Sequence, residues 1–144
     1  MEDRYKFNKV QNTFINIRNK LESIGCKVVF VTITTMSFHD WNIHRLKCHK
    51  TAQLIFLKRY EEMQWELYTV IYKLNQFITE SNEDKNLVTP LMHRYVHKTI
   101  GKKCYIYSKL VNGLHPSPAL VEKWTQHMIR KIRYYRQCQV SFLS

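Results

Sequence analysis

Lys27-Val28-Val29-Phe30-Val31-Thr32-Ile33-Thr34 is the stretch of this 144-residue chain that points most directly to a fold. Its unbroken run of β-branched and aromatic residues is typical of a strand buried on both faces, as in a parallel sheet. Ahead of it, apolar residues recur every three or four positions from Phe7 to Ile24, which predicts an amphipathic helix. Gly25 is placed to end that helix in the left-handed conformation. Helix, tight turn and strand together make half of a βαβ unit.

Two further amphipathic helices are predicted downstream. Helical periodicity runs from about Thr51 to Glu80 and again from Ala119 to Tyr135. Between these helices, Asn86 to Pro90 has the composition of a short strand that ends at the proline. The pattern predicts one α/β domain over residues 1–144 with three layers. In the sheet of this domain, we expect the Val28–Thr34 strand to be central and parallel to the strand near Val88.

A turn rich in glycine and proline, Leu110 to Pro118, brings a histidine to the start of the last helix. Ser117 is placed to cap that helix, and Pro118 to be its first residue. His115 therefore lies on a loop held by a helix, which is a common setting for catalytic groups. Leu114, the large apolar side chain between Asn112 and His115, is expected to point into the core. Simple packing of the histidine ring within the turn is the alternative to a chemical role.

Asn112-Gly113-Leu114-His115-Pro116-Ser117, followed by Leu120 and Trp124, resembles the last conserved block of the SGNH (GDSL-like) hydrolases. That block reads Asp-Gly-x-His-Pro-(Asn/Ser) before a helix. A strand like Val28–Thr35 and a helix carrying Leu74-Asn75-Gln76-Phe77-Ile78 extend the resemblance to about Phe7 to Ile132. It matches the C-terminal part of the family fold. The resemblance thus implies a partial, truncated SGNH/flavodoxin-like parallel sheet with flanking helices.

The resemblance also implies roles for single residues. In that family the histidine is the general base for a serine hydroxyl, and an aspartate three residues before it fixes the imidazole tautomer. The base falls on His115, and the aspartate position is held by Asn112. The blocks with the nucleophilic serine and the oxyanion hole are absent from this sequence. Ser37 is a weaker candidate for a displaced nucleophile.

We therefore expect an incomplete or degenerate hydrolase-like domain that does not hydrolyse esters by itself. If it were active, it would be a serine esterase. One alternative is that the chain is the C-terminal part of an active esterase whose Gly-Asp-Ser block is encoded upstream. The other alternative is a basic module that binds nucleic acid or another partner.

The segment from Thr35 to Lys50 is expected to be a loop at the carboxyl end of the first strand, where open sheets bind ligands. Its potential metal ligands have spacings that fit no standard zinc motif; they are His39, Asp40, His44, Cys48 and His49. His93 and His97 stand four residues apart but lack a third ligand. We therefore expect no metal and no cofactor. Asn75 is interpreted as a satisfied polar group beside the sheet.

A net charge of +12 makes nucleic acid, an acidic protein or an anionic surface a plausible partner, although the sequence names none. The cations of the last helix form its candidate nucleic-acid face; they are Lys123, Arg130, Lys131, Arg133 and Arg136. The alternative is a solvated helix face whose cations are favoured by the helix dipole.

The cysteines and the apolar runs bear on localisation. Four cysteines without a CxxC pair favour free thiols in a reducing compartment. The N-terminal residues lack the apolar core of a signal peptide, and no run approaches the length of a membrane span. These features predict an intracellular protein, cytoplasmic or nuclear, without a signal peptide or a membrane span.

Overall fold

The computed structural model describes residues 2–48, 60–100, 102–105 and 109–140, and within them the chain is mainly helical. The helices are α1 (Glu2–Ser23), α2 (Phe38–Cys48), α3 (Tyr60–Glu83) and α4 (Pro118–Val140). A 3₁₀ helix, Met92–Val96, precedes an antiparallel hairpin of β1 (His97–Ile100) and β2 (Lys102–Tyr105). A second antiparallel pair joins β3 (Leu110–Val111) and β4 (His115–Pro116).

The predicted helices around Phe14, Leu67 and Trp124 are present as α1, α3 and α4. The predicted start of the second of these, near Thr51, lies outside the described residues. The prediction of a loop over residues 35–50 is wrong, because α2 occupies most of that segment. Two residues explain where α1 ends and α2 begins. Gly25 has a φ of 83° just after α1, and Ser37 precedes the first residue of α2.

The predicted three-layer α/β fold with a parallel sheet is wrong. Residues 26–37 and 87–90 belong to no strand, and the strands within the described part of the chain form two short antiparallel pairs. One backbone hydrogen bond, from Thr32 N to Pro90 O at 3.1 Å, joins the two segments that the sequence predicts to be parallel strands. A run of β-branched residues favours an extended backbone. Which groups form hydrogen bonds with that backbone depends on residues elsewhere in the chain.

Side-chain amides of α3 take the place of a neighbouring strand along the extended segment 26–37. Asn82 Oδ1 accepts from Phe30 N at 3.1 Å, and its Nδ2 donates to Phe30 O at 2.8 Å. Asn75 forms the same two bonds with Ile33, at 2.7 and 2.9 Å. Each amide therefore satisfies one N–H and one C=O, as a peptide group of a paired strand would. Asn75 is therefore a satisfied polar group as predicted, but it lies beside an extended segment and not beside a sheet.

Gln64 extends this amide row to the start of α2. Its Nε2 donates to Met36 O at 2.7 Å, and its Oε1 accepts from Phe38 N at 2.9 Å. The row of Gln64, Asn75 and Asn82 therefore fixes the extended segment against α3 from Phe30 to the start of α2.

Arg18 of α1 is buried against the end of α3. Its side chain donates to Ser81 O and to Asn82 Oδ1. The guanidinium carbon lies 4.4 Å from the centroid of the Phe30 ring. Burial lowers the pKa of Arg18, while Glu22 and Asp84 oppose that shift. A cation on the last carbonyls of α3 is also favoured by the helix dipole.

A second packing centre fixes the start of α4. Val96, Leu110 and Leu120 are buried together, with Tyr95 and Trp124 packed against them. Leu110 belongs to β3 and Leu120 to the first turn of α4, so this cluster anchors both ends of the turn between them. That turn carries His115.

Candidate functional site

The β3–β4 turn has the backbone of a tight hairpin. Leu110 pairs with Pro116, and Val111 pairs with His115. Asn112 and Gly113 both have positive φ, at 53° and 74°. Asparagine and glycine are the residues that reach this region at least cost. The Asn-Gly pair therefore closes the hairpin and brings the Asn112 side chain within reach of His115.

Gly113 lets this turn lie directly on the first turn of α2. Its carbonyl accepts from Ser37 N at 2.8 Å. A Cβ at this position would lie 2.7 Å from Ser37 O and 2.8 Å from Asp40 Cβ. These distances are shorter than real Cβ contacts, so the close approach of the turn and α2 requires glycine.

Asn112 and His115 form a local pair. Asn112 Oδ1 lies 3.1 Å from His115 Nδ1 and 3.3 Å from His115 N. A backbone N–H can only donate, so the amide atom that faces it is the oxygen. The same oxygen then accepts from Nδ1–H, which leaves the Nε2 lone pair of the neutral ring free for a proton. Asn112 thus favours the tautomer in which Nδ1 carries the proton.

Aromatic rings of α2 border the histidine. The Trp41 ring centroid lies 6.4 Å from that of His115 and 5.9 Å from that of His44. Residues of α2 and of the turn together line an open groove of about 410 Å³, and they include Asp40, His44, Lys47, Asn112 and Gly113. His115 therefore lies beside the first turn of α2. The expected burial of Leu114 is wrong: its side chain is 40% exposed, because Leu110 fills the core beneath the turn.

Ser37 has a structural position. Its Oγ accepts from Asp40 N at 3.2 Å, the bond of an N-cap residue, and the residue is buried. Its described contacts are with α2 and with Gly113, not with the His115 ring. The nucleophile role considered for Ser37 gains no support from this geometry.

The potential metal ligands of α2 do not converge. Cys48 Sγ lies 3.5 Å from His44 Nε2, as their spacing on one helix face allows. Across the part of the chain that the structure describes, no three histidine, cysteine or acidic side chains are placed to hold a metal ion. His49 and the side chain of His97 lie outside the described residues.

The candidate nucleic-acid residues separate into two groups. Lys131 and Arg136 border a groove of about 310 Å³, whereas Lys123, Arg130 and Arg133 are exposed and do not line it. We call this the α4 groove: Lys27, Lys131 and Arg136 surround it, and Val29, Pro90 and Met128 are among its apolar lining. The sequence pattern of α4 alone misses Lys27, because this residue enters from the extended segment.

His127 and Tyr135 belong to α4, and both are partly buried. Tyr95 Oη lies 3.0 Å from His127 Nδ1. Burial lowers the pKa of His127, and Lys131 and Arg130 lower it further. The Tyr135 hydroxyl donates to Val88 O, which ties α4 to the 87–90 segment. Burial and neighbouring Tyr134 raise the pKa of Tyr135, while the bond to Val88 opposes that shift.

Comparison with protein-family models, curated proteins and solved structures found no match to this chain. None of the helices within the described residues is both long and apolar enough to span a bilayer.

Proposed function

We propose that the β3–β4 turn is the histidine-base part of a hydrolase-like site, and that the chain by itself does not hydrolyse esters. The bond between Asn112 Oδ1 and His115 Nδ1 carries the proposal, because it presents Nε2 as a proton acceptor. The resemblance of residues 112–117 to the last SGNH block is consistent with that role.

Two features argue against turnover by this chain alone. A general base acts on a hydroxyl within about 3 Å, and Ser37, the serine considered as nucleophile, uses its hydroxyl to cap α2. Asn112 carries no charge, so it cannot stabilise the imidazolium that forms when His115 takes a proton. The alternative proposal is that an upstream Gly-Asp-Ser block completes the site.

Hydrolysis of p-nitrophenyl acetate tests the proposal. We expect the wild type to match His115→Ala, with His39→Ala as the control for general surface histidines, since His39 is an exposed residue of α2. Loss of hydrolysis in His115→Ala, but not in His39→Ala, would show that the chain has a working site.

A fluorophosphonate probe for activated serines separates the two alternatives. We expect no labelling of the 144-residue chain. Labelling of a longer protein that includes the upstream coding sequence, lost on mutation of its Gly-Asp-Ser serine, would establish the alternative. Labelling of the chain itself, removed by Ser37→Ala, would contradict the main proposal.

A further inference from the structure

The α4 groove gathers positive charge around an apolar recess. Its cations come from two distant parts of the chain, Lys27 from the extended segment and Lys131 and Arg136 from α4. Among the described residues, no acidic side chain lines the groove, and none of these three cations forms an ion pair with a carboxylate. Side chains such as these remain available for an anion.

The charge of the protein is distributed unevenly around this groove. α4 carries five basic residues and one glutamate, Glu122, whereas α3 carries five glutamates and one lysine, Lys73. The net charge of +12 is therefore not a uniform field. α4 is strongly basic and α3 strongly acidic, so the field of these two helices would direct a polyanion towards α4 rather than towards α3.

Two tyrosines accompany these cations. The Lys27 ammonium lies 5.5 Å from the centroid of the Tyr135 ring, so Tyr135 holds this cation at the groove. The Tyr134 ring meets Tyr135 edge to face at 5.7 Å, and Tyr134 is 49% exposed. Tyr134 does not itself line the groove, but it belongs to α4 with Lys131 and Arg136 and contacts Tyr135, which does. Proteins that bind single strands combine exposed aromatic rings with nearby cations in this way, and unpaired bases stack on the rings.

We propose that the α4 groove binds single-stranded nucleic acid, with phosphates on Lys27, Lys131 and Arg136 and a base against Tyr134. The recess is concave and has an apolar floor, so it suits a narrow flexible chain with bases better than a flat membrane surface. A volume of about 310 Å³ is at the lower end of ligand pockets, which fits one nucleotide unit at a time. This role is independent of the proposed role of His115.

The salt dependence of binding measures how many cations take part. We would titrate the purified chain into a fluorescein-labelled oligothymidylate and repeat the titration over a range of salt concentrations. Three phosphate contacts predict a slope of log K against log salt of about −2, since each contact to a single strand contributes about −0.7. A slope near zero would overturn the proposal.

Paired substitutions distinguish the groove from general charge. Lys131→Gln with Arg136→Gln should weaken binding about 25-fold at about 0.1 M salt and reduce the slope to about −0.7. The matched control is Lys9→Gln with Lys20→Gln, two exposed lysines of α1 that change the net charge by the same amount. This control should leave the slope unchanged. An equal loss in both pairs would mean diffuse attraction and would refute the assignment to the groove.

Tyr134→Ala tests the stacking part separately. Its ring is half exposed, so the substitution leaves the fold intact, which circular dichroism checks. Stacking releases no counterions, so the affinity should fall severalfold while the salt slope stays the same. Unchanged affinity would remove Tyr134 from the proposal. Equal or tighter binding to anionic phosphatidylserine vesicles under the same conditions would mean that the groove binds a membrane surface. That result would overturn the proposal.

Discussion

Replacing Asn82 by alanine tests whether side-chain amides hold the extended segment. Asn82 is fully buried, and its amide makes four hydrogen bonds. Oδ1 accepts from Phe30 N and from Arg18, and Nδ2 donates to Phe30 O and to Thr89 Oγ1. Alanine removes every one of these bonds and supplies nothing in their place.

The expected cost follows from the groups left without a partner. Arg18 keeps its bonds to Ser81, so the main losses are at both backbone groups of Phe30 and at the buried hydroxyl of Thr89. A buried polar group without a partner costs about 1–3 kcal/mol. Because Phe30 is only half buried, we expect a total near the lower limit for each group, about 3–5 kcal/mol. Domains of this size have a free energy of unfolding of about 5–15 kcal/mol.

Urea unfolding, followed by circular dichroism, measures this loss. The matched control is Gln76→Ala, which removes a carboxamide from an exposed position on the same helix and should change stability by no more than about 0.5 kcal/mol. Asn82→Asp should cost less than alanine, because it keeps the acceptor that faces Phe30 N and Arg18. A loss below about 1 kcal/mol in Asn82→Ala would refute the reasoning, since the extended segment would then not depend on this amide.

Further predictions concern the turn, α4 and the α2 cap. Gly113→Ala should destabilise the protein by more than about 1 kcal/mol and alter Trp41 fluorescence, because the added Cβ meets backbone atoms of α2 at a positive φ; an unchanged urea midpoint and spectrum would contradict this. The lowered pKa of His127 predicts stability that is complete above the unfolded value of about 6.5 and falls as the pH drops below it, by at most about 1.4 kcal/mol per pH unit. His127→Gln should remove that part of the pH dependence, and an identical pH profile would refute the assignment. Ser37→Ala should cost about 1 kcal/mol through the lost helix cap, which thermal unfolding would show. In the ¹⁵N spectrum of wild-type His115 the neutral ring should carry its proton on Nδ1, and Asn112→Ala should abolish that preference; a ring protonated on Nε2 in the wild type would contradict the pairing.

The sequence predicts the helices α1, α3 and α4 because their determinants are local. These helices follow the apolar periodicity around Phe14, Leu67 and Trp124, and α4 begins directly after Ser117, as its capping pattern indicates. The sequence pattern does not reveal α2, because its polar and aromatic composition lacks a clear apolar stripe. Such a composition favours the prediction of a loop.

The sheet could not be predicted, because strand pairing depends on residues far apart in sequence. Val28–Thr34 has the composition of a buried strand, and its residues bond to side-chain amides in place of a paired strand. Its partners are Asn75 and Asn82, whose amides reach it from α3 across more than forty positions of sequence. Helical periodicity identifies these asparagines as polar positions but does not show that they bond to another segment's backbone.

Taken by itself, the sequence determined three helical segments, the Asn-Gly turn and the spacing that lets Asn112 meet His115, since each depends on neighbours within a few residues. Only the tertiary structure decided which groups approach from a distance. It gave Ser37 a capping role beneath Gly113, buried Arg18 at the end of α3, and brought Lys27 to the cations of α4. Contacts of this kind depend on how the elements pack, and no local pattern of residues encodes that arrangement.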